Sequence, residues 1–315
     1  MAMLRGSKSC GLTRQCSRFI FHSNSLVERF AGGFLVCGNG FEPTTSQQRS
    51  LANAADSNAS CAGNEKVPFK SSLKAAEAAK FAAMADTWWD HEGPFKPLHL
   101  MNPTRISFIR SALCQHFRKD PNSSRPFEGL RIIDVGCGGG LLCEPLSRMG
   151  ARVTGIDAVE KNINIALQHA VRDPLTASID YQCTTAEQLV QEKEHFDAVI
   201  SLEVIEHVAD PQEFVKSLAA LTVGSGAVVI STINRTIRSY FMAIVAAEYI
   251  LGWLPRGTHD WSNLITPIEL VLLMKRASIS VHEVAGLVYN PLRNDWTLSD
   301  DTEVNYIAFG LKNSL

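Results

Sequence analysis

Residues 131–150 read RIIDVGCGGGLLCEPLSRMG, and this stretch decides the fold. Four of the five positions from 136 to 140 are glycine, directly after an apolar run that ends in Asp134 and Val135. A short apolar run, a glycine cluster and a helical pattern in succession predict a strand, a tight turn and a helix. Glycine admits positive φ and lets a ligand touch bare main chain, while a helix starting near Gly140 aims its free N–H groups at the same spot.

Strand-like and helical runs alternate outward from this turn. RVTGID (152–157), SIDYQC (178–183), FDAVISL (196–202) and GAVVIST (226–232) read as strands. Helices are expected at 141–149, 160–171, 186–191, 211–221 and 267–277, with a long apolar helical stretch after residue 232. Upstream, SLKAAEAAKFAAMADTWWD (72–90) predicts an alanine-rich helix. PTRISFIRSALCQHF (103–117) predicts another, starting after Pro103. The last runs, SVHEVAGLVY (280–289) and EVNYIAFGL (303–311), have no helix between them and are expected to pair antiparallel. Strands buried on both faces and alternating with helices imply an open, mostly parallel α/β sheet with helices on both sides. In such sheets ligands bind beyond the carboxyl ends of the strands, where strand order reverses.

The chain has 315 residues, 45% of them hydrophobic, and a formal charge of -2. That suits one sizeable core with appendages and gives no basic balance that would favour nucleic acid. The first residues carry Arg5, Lys8, Arg14, Arg18 and Arg29 among serines and apolar residues, with no acid before Glu28. This composition predicts a mitochondrial transit peptide, followed by a disordered Ser/Asn/Ala/Gly-rich leader up to residue 67. The folded domain is then expected over 68–315. Of eight cysteines, Cys114, Cys137, Cys143 and Cys183 fall in it, none at zinc-ligand spacing, and free thiols are expected.

Two ligand classes use a glycine-rich turn of this kind. A dinucleotide site wants G-x-G-x-x-G, but Leu141 stands where the third glycine belongs. The pattern present is Asp134-x-Gly136-x-Gly138-x-Gly140. It resembles motif I of the class I methyltransferases that use S-adenosylmethionine. That resemblance implies a loop wrapped around the methionine and ribose of the cofactor. Asp157 ends the second strand about 20 residues after the loop, where a carboxylate can accept hydrogen bonds from both ribose hydroxyls. It would serve NAD equally well. The fourth strand runs into SLEVIEHV. If a helical turn begins there, Glu203, Glu206 and His207 fall at i, i+3 and i+4 and share one face. Two carboxylates suit a hard divalent ion such as Mg²⁺, and the imidazole extends the choice to Mn²⁺ or Zn²⁺. His207 could instead be a general base. Arg105 has the fork that grips a carboxylate. Trp88 and Trp89 either pack a lid of the two N-terminal helices over the cofactor or simply fill core.

WWDHEGPFKPLHLMNPTR (88–105), DVGCGGGLLCEPLSRMGARVTGID (134–157), LEVIEHVADP (202–211), STINRT (231–236), AEYILGWLPRGTHD (247–260) and YNP (289–291) occur in order. Together they resemble the O-methyltransferases of ubiquinone biosynthesis that act on 3-demethylubiquinol and polyprenyl-dihydroxybenzoate. The resemblance implies a Rossmann-like class I methyltransferase fold: a seven-stranded, mostly parallel sheet with one antiparallel edge strand and helices on both faces. It places Arg105, Gly136, Asp157 and Leu202 on cofactor-contacting positions, Leu202 replacing a methionine common in bacterial members. It maps magnesium ligands onto Glu203, Glu206 and His207. The substrate it implies is a polyprenylated phenol of catechol type, methylated on oxygen by direct displacement, with Glu203 and His207 as the catalytic candidates. An NAD(P)-dependent dehydrogenase acting on a membrane-bound quinoid substrate is the rival.

TIRSYFMAIVAAEYILGWLPR (236–256) is apolar, but Glu248 interrupts it and arginines flank it, so it is too short and too charged to span a bilayer. It reads either as an insertion near 235–260 whose residues 237–254 lie in the membrane interface, or as a buried core helix. An acceptor with a long polyprenyl tail favours the membrane, on the matrix side of the mitochondrial inner membrane and within a ubiquinone-biosynthesis enzyme complex.

Overall fold

The computed structural model describes residues 75–240 and 261–314. The expected leader (1–67) and residues 241–254 of the expected interfacial segment lie outside them. In chain order the elements are α1 (Ala75–Met84), a 3₁₀ turn (Ala85–Thr87), α2 (Lys96–His116), β1 (Arg131–Val135), α3 (Cys143–Arg148), β2 (Arg152–Asp157), α4 (Glu160–Ala170), β3 (Asp180–Cys183), α5 (Ala186–Gln191) and β4 (Phe196–Leu202). A second 3₁₀ turn (Ile205–His207) leads to α6 (Pro211–Leu221), β5 (Thr222–Ile233), α7 (Ile237–Ser239), a third 3₁₀ turn (Trp261–Asn263), α8 (Pro267–Arg276), β6 (Ile279–Asn290), β7 (Asp295–Ser299) and β8 (Asn305–Lys312).

The strands form one sheet in the order β3-β2-β1-β4-β5-β8-β6-β7. β1 pairs parallel with both β2 and β4, so the order reverses beside β1, immediately before the glycine turn. One apolar layer packs residues of α2, α3 and α4 on the sheet, among them Phe108, Leu113, Leu146 and Ala166. The opposite layer packs α5, α6 and α8 through Leu189, Phe214, Leu218 and Leu270. β1 is buried on both faces from Ile132 to Val135, which is why it reads as a continuous apolar run.

Two expectations change. The sheet has eight strands rather than seven. The last apolar runs do pair antiparallel, as β6 and β8, but β8 lies between β5 and β6. The extra strand, β7, forms a hairpin with β6 and supplies the edge. Its sequence DWTLS is short, polar and only partly buried, so it carries no apolar run. The second helix begins at Lys96, with Pro97 in its first turn, and carries Pro103 in its interior. Proline removes one helical hydrogen bond without ending the helix. As a result Arg105 sits in mid-helix over the sheet instead of in a solvated first turn.

Candidate functional site

The glycine turn is tied to the neighbouring strand by main chain. Gly136 N–H and Cys137 N–H both donate to Ile156 O, at 2.8 and 2.9 Å. Gly136 (φ 80°) and Gly138 (φ 53°) take left-handed conformations that side chains disfavour. Space is lacking as well. A Cβ at Gly136 would lie 2.4 Å from the Val204 side chain, and one at Gly138 would lie 2.3 Å from the Trp88 ring. Bare backbone is therefore required here by the protein's own packing, before any ligand is considered.

Asp157 is carried to the turn by the parallel pairing of β1 with β2. Its Oδ2 accepts from Gly138 N–H at 3.0 Å, and its Oδ1 from Val159 N–H at 2.8 Å and the Asn162 amide at 3.2 Å. Burial pushes its pKa up, and these donors oppose the shift. A carboxylate has about four acceptor positions and three are taken here, so one stays open, and a second ribose hydroxyl would share or displace one of these donors. Asp134 is buried, and its Oδ2 accepts from the Cys143 thiol at 3.3 Å. Burial pushes its pKa up to about 7, against the Cys143 hydrogen bond and the Arg105 charge. Arg105 is 4% exposed. One Nη donates to Asn102 Oδ1 at 3.2 Å, while Nε is buried without a partner. Burial pulls its pKa down, and the charges of Glu203 and then Asp134 oppose this. A buried, under-satisfied guanidinium over the sheet rim is an anion-binding group in waiting. Leu202 ends β4 and packs against the α2-side apolar layer. The structure thus brings Arg105, Asp134, Gly136, Gly138, Gly140, Asp157 and Leu202 to one rim.

Glu203, Glu206 and His207 depart from expectation. Glu203 has φ 57°, so no helical turn begins at it; the turn that follows, Ile205–His207, is 3₁₀. The Ser231 hydroxyl donates to Glu203 Oε1 at 2.7 Å and the Thr232 hydroxyl donates to Glu206 Oε2 at 2.9 Å. Adjacent strand residues point to opposite faces. Ser231 follows Val229 on the α2 side of β5, and Thr232 follows Ile230 on the α6 side. The two acids are thus held by hydroxyls from opposite faces of β5, Glu203 near Arg105, yet they stay close enough for the Glu203 charge to act on Glu206. Among the described residues no group of three His, Cys, Asp or Glu is arranged to hold a metal ion. Glu206 Oε1 is buried and unpartnered, and burial together with the Glu203 charge pushes its pKa above the usual carboxylate range. His207 is 8% exposed, its ring edge-on to Phe81 at 5.1 Å.

Sequence reasoning missed Ser231, Thr232 and Asn162, all of which hold site carboxylates. A polar pair at the end of an apolar strand was the available signal for the first two. Asn162, in the middle of an amphipathic helix, gave none. The four expected free thiols are free cysteines.

Residues 133–230 match the model of the family described as "Methyltransferase domain". Among solved structures, magnesium protoporphyrin IX methyltransferase (ChlM) from Synechocystis PCC 6803 with bound SAH shares the fold, with a TM-score of 0.53 and 18% identity over 75% of this chain and 95% of that one. The mitochondrial ubiquinone biosynthesis O-methyltransferase of Arabidopsis thaliana is 65% identical over 241 residues, 76% of this chain and 75% of that protein. The ubiquinone biosynthesis O-methyltransferase of Parvibaculum lavamentivorans is 50% identical over 239 residues, 76% of this chain and 94% of that protein. With 65% and 50% identity over three quarters of its length, the chain belongs to the family of ubiquinone biosynthesis O-methyltransferases.

Proposed function

We propose that the protein transfers the methyl group of S-adenosylmethionine to a phenolic oxygen of a polyprenylated, catechol-type intermediate of ubiquinone biosynthesis. 3-Demethylubiquinol and polyprenyl-dihydroxybenzoate are acceptors of this class. The observation that carries the reading is the Gly136–Gly140 turn docked on Asp157 at the strand crossover, with Arg105 above it. The sulfonium supplies an activated methyl group, so the chain's task is alignment and proton removal.

Asp157 accepts the ribose hydroxyls, and the main chain of Gly136, Gly138 and Gly140 lies along the methionine and ribose. Asp134 supports that turn from beneath. Arg105 holds the amino-acid carboxylate, and Leu202 walls the adenine. A free phenol has a pKa of about 10, so a base is needed near neutrality. Glu203, on the Arg105 face, and His207, at the same strand end, are the two groups that can take the proton. Glu206 is held by the Thr232 hydroxyl and feels the Glu203 charge. Among the described residues, however, these groups are not arranged as a three-ligand Mg²⁺ site.

The import signal at 1–67 and the interfacial segment 237–254 belong to the same reading, with the enzyme peripheral on the matrix side of the inner membrane and within an assembly of pathway enzymes. One feature supports it: Ile237 and Tyr240, at the start of that segment, are exposed apolar side chains. The test is methyl transfer from S-adenosylmethionine to a short-tailed catechol acceptor, with and without chelator. Mono-methylated product is expected. No product, or turnover only with a nicotinamide nucleotide, overturns the reading. Loss of product in chelator, restored by Mg²⁺, would overturn the metal-free account of Glu203.

A further inference from the structure

Asp157 has one support that reaches far along the chain. The Trp88 indole N–H donates to Asn162 Oδ1 at 2.9 Å, and the Asn162 amide donates to Asp157 Oδ1 at 3.2 Å. Trp88 is 7% exposed and Asn162 1%. The polarity of this chain is fixed by chemistry. Indole can only donate, an ionised carboxylate can only accept, and a primary amide between them does one of each. Asn162 stands in the first turns of α4, while Trp88 belongs to the N-terminal segment that follows α1.

The same indole lies on the glycine turn. Its ring atoms occupy the space that a Cβ at Gly138 or Gly139 would need, at 2.3 and 2.5 Å, and it stacks on Phe95 at 3.7 Å with the planes 5° apart. Trp89 adds a bond from its own N–H to Gly139 O at 3.0 Å. Docking of this segment therefore clamps the turn and, through Asn162, completes the set of donors on Asp157.

We propose that Trp88 and Asn162 are positioning residues for cofactor binding. They orient the Asp157 carboxylate toward the ribose diol and make cofactor affinity depend on the docked N-terminal segment. The proposal rests on Asp157 being the ribose-binding group. Trp88→Phe keeps a ring against Phe95 and removes the donor, and Asn162→Ala removes the relay.

The experiment measures S-adenosylmethionine Kd by calorimetry, KM and kcat, and Tm, in the full chain carrying Trp88→Phe, Asn162→Ala, the pair together, and Asp157→Ala. Trp88→Phe should raise KM and Kd by about fivefold and Asn162→Ala by about tenfold, the range of one intramolecular hydrogen bond. At saturating cofactor kcat should stay within about twofold. Because Trp88 acts through Asn162, the double variant should be no weaker than Asn162→Ala alone. Independent, additive losses overturn the relay, as does a fall in kcat and Tm with KM unchanged. If Asn162→Ala does not fold, Asn162→Ser takes its place in the cycle. Should Asp157→Ala bind normally, the ribose assignment fails and the relay with it. Should Asp157→Ala bind weakly while Trp88→Phe and Asn162→Ala bind normally, only the relay fails.

Discussion

Asp134 is an acid placed where an acid is costly. With its pKa pushed up to about 7 by burial, it holds a proton in the folded state over a range where the unfolded chain has released it. The folded state then binds more protons between about pH 4 and 7, so stability contributed by this group is present at low pH and lost as pH rises through 7. The loss is about 4 kcal/mol at most. Asp134→Asn should therefore flatten the fall of Tm between pH 5 and 8 in the cofactor-free enzyme, and parallel melting curves for variant and parent would refute it. Asp157 behaves differently, because it is surrounded by donors. Asp157→Ala should weaken S-adenosylmethionine binding at least tenfold by calorimetry. Asp134 was legible because it stands just before the glycine turn, and Asp157 because it ends the next strand about 20 residues on. Arg105 was legible mainly through family resemblance, since a lone arginine in a helix carries no local sign of where it points.

At the scale of the element, β5 does the sorting. Successive hydroxyls at Ser231 and Thr232, pointing to opposite faces of the strand, hold one glutamate each. Ser231→Ala should lower kcat about tenfold with little change in Tm, because Glu203 loses the hydroxyl that orients its carboxylate. Thr232→Val should lower stability by about 1–3 kcal/mol with kcat retained, because the buried Glu206 carboxylate loses a hydroxyl donor while its Oε1 is already unpartnered. Equal effects of the two on rate and on melting would contradict the division of faces. Sequence spacing could not reveal this division. An i, i+3, i+4 pattern assumes helical φ at its first residue, and Glu203 at φ 57° breaks that assumption. The same limit explains β7, whose pairing with β6 is supplied by the sheet edge rather than by its own residues. Pro103 shows the converse: a residue that reads as a helix start is tolerated inside one when the surrounding helix is packed.

Across the whole molecule, parallel strands, helices on both faces and the site at the crossover followed from alternation of apolar runs alone. What alternation could not supply was the contact between Trp88 and Asn162, 74 residues apart, because long-range packing leaves no periodic trace. The placement of β8 has a consequence for how the sheet holds together. The C-terminal strand is the inner rung that joins β5 to the β6–β7 hairpin. Without β8, the edges of β5 and β6 that it pairs with would be left open. Deleting residues 305–315 should leave an insoluble product, measurable as loss of the protein from the cleared lysate. A sheet bridged in this way has its weakest seam at an interior rung, so strain applied to that rung would part the parallel half from the hairpin.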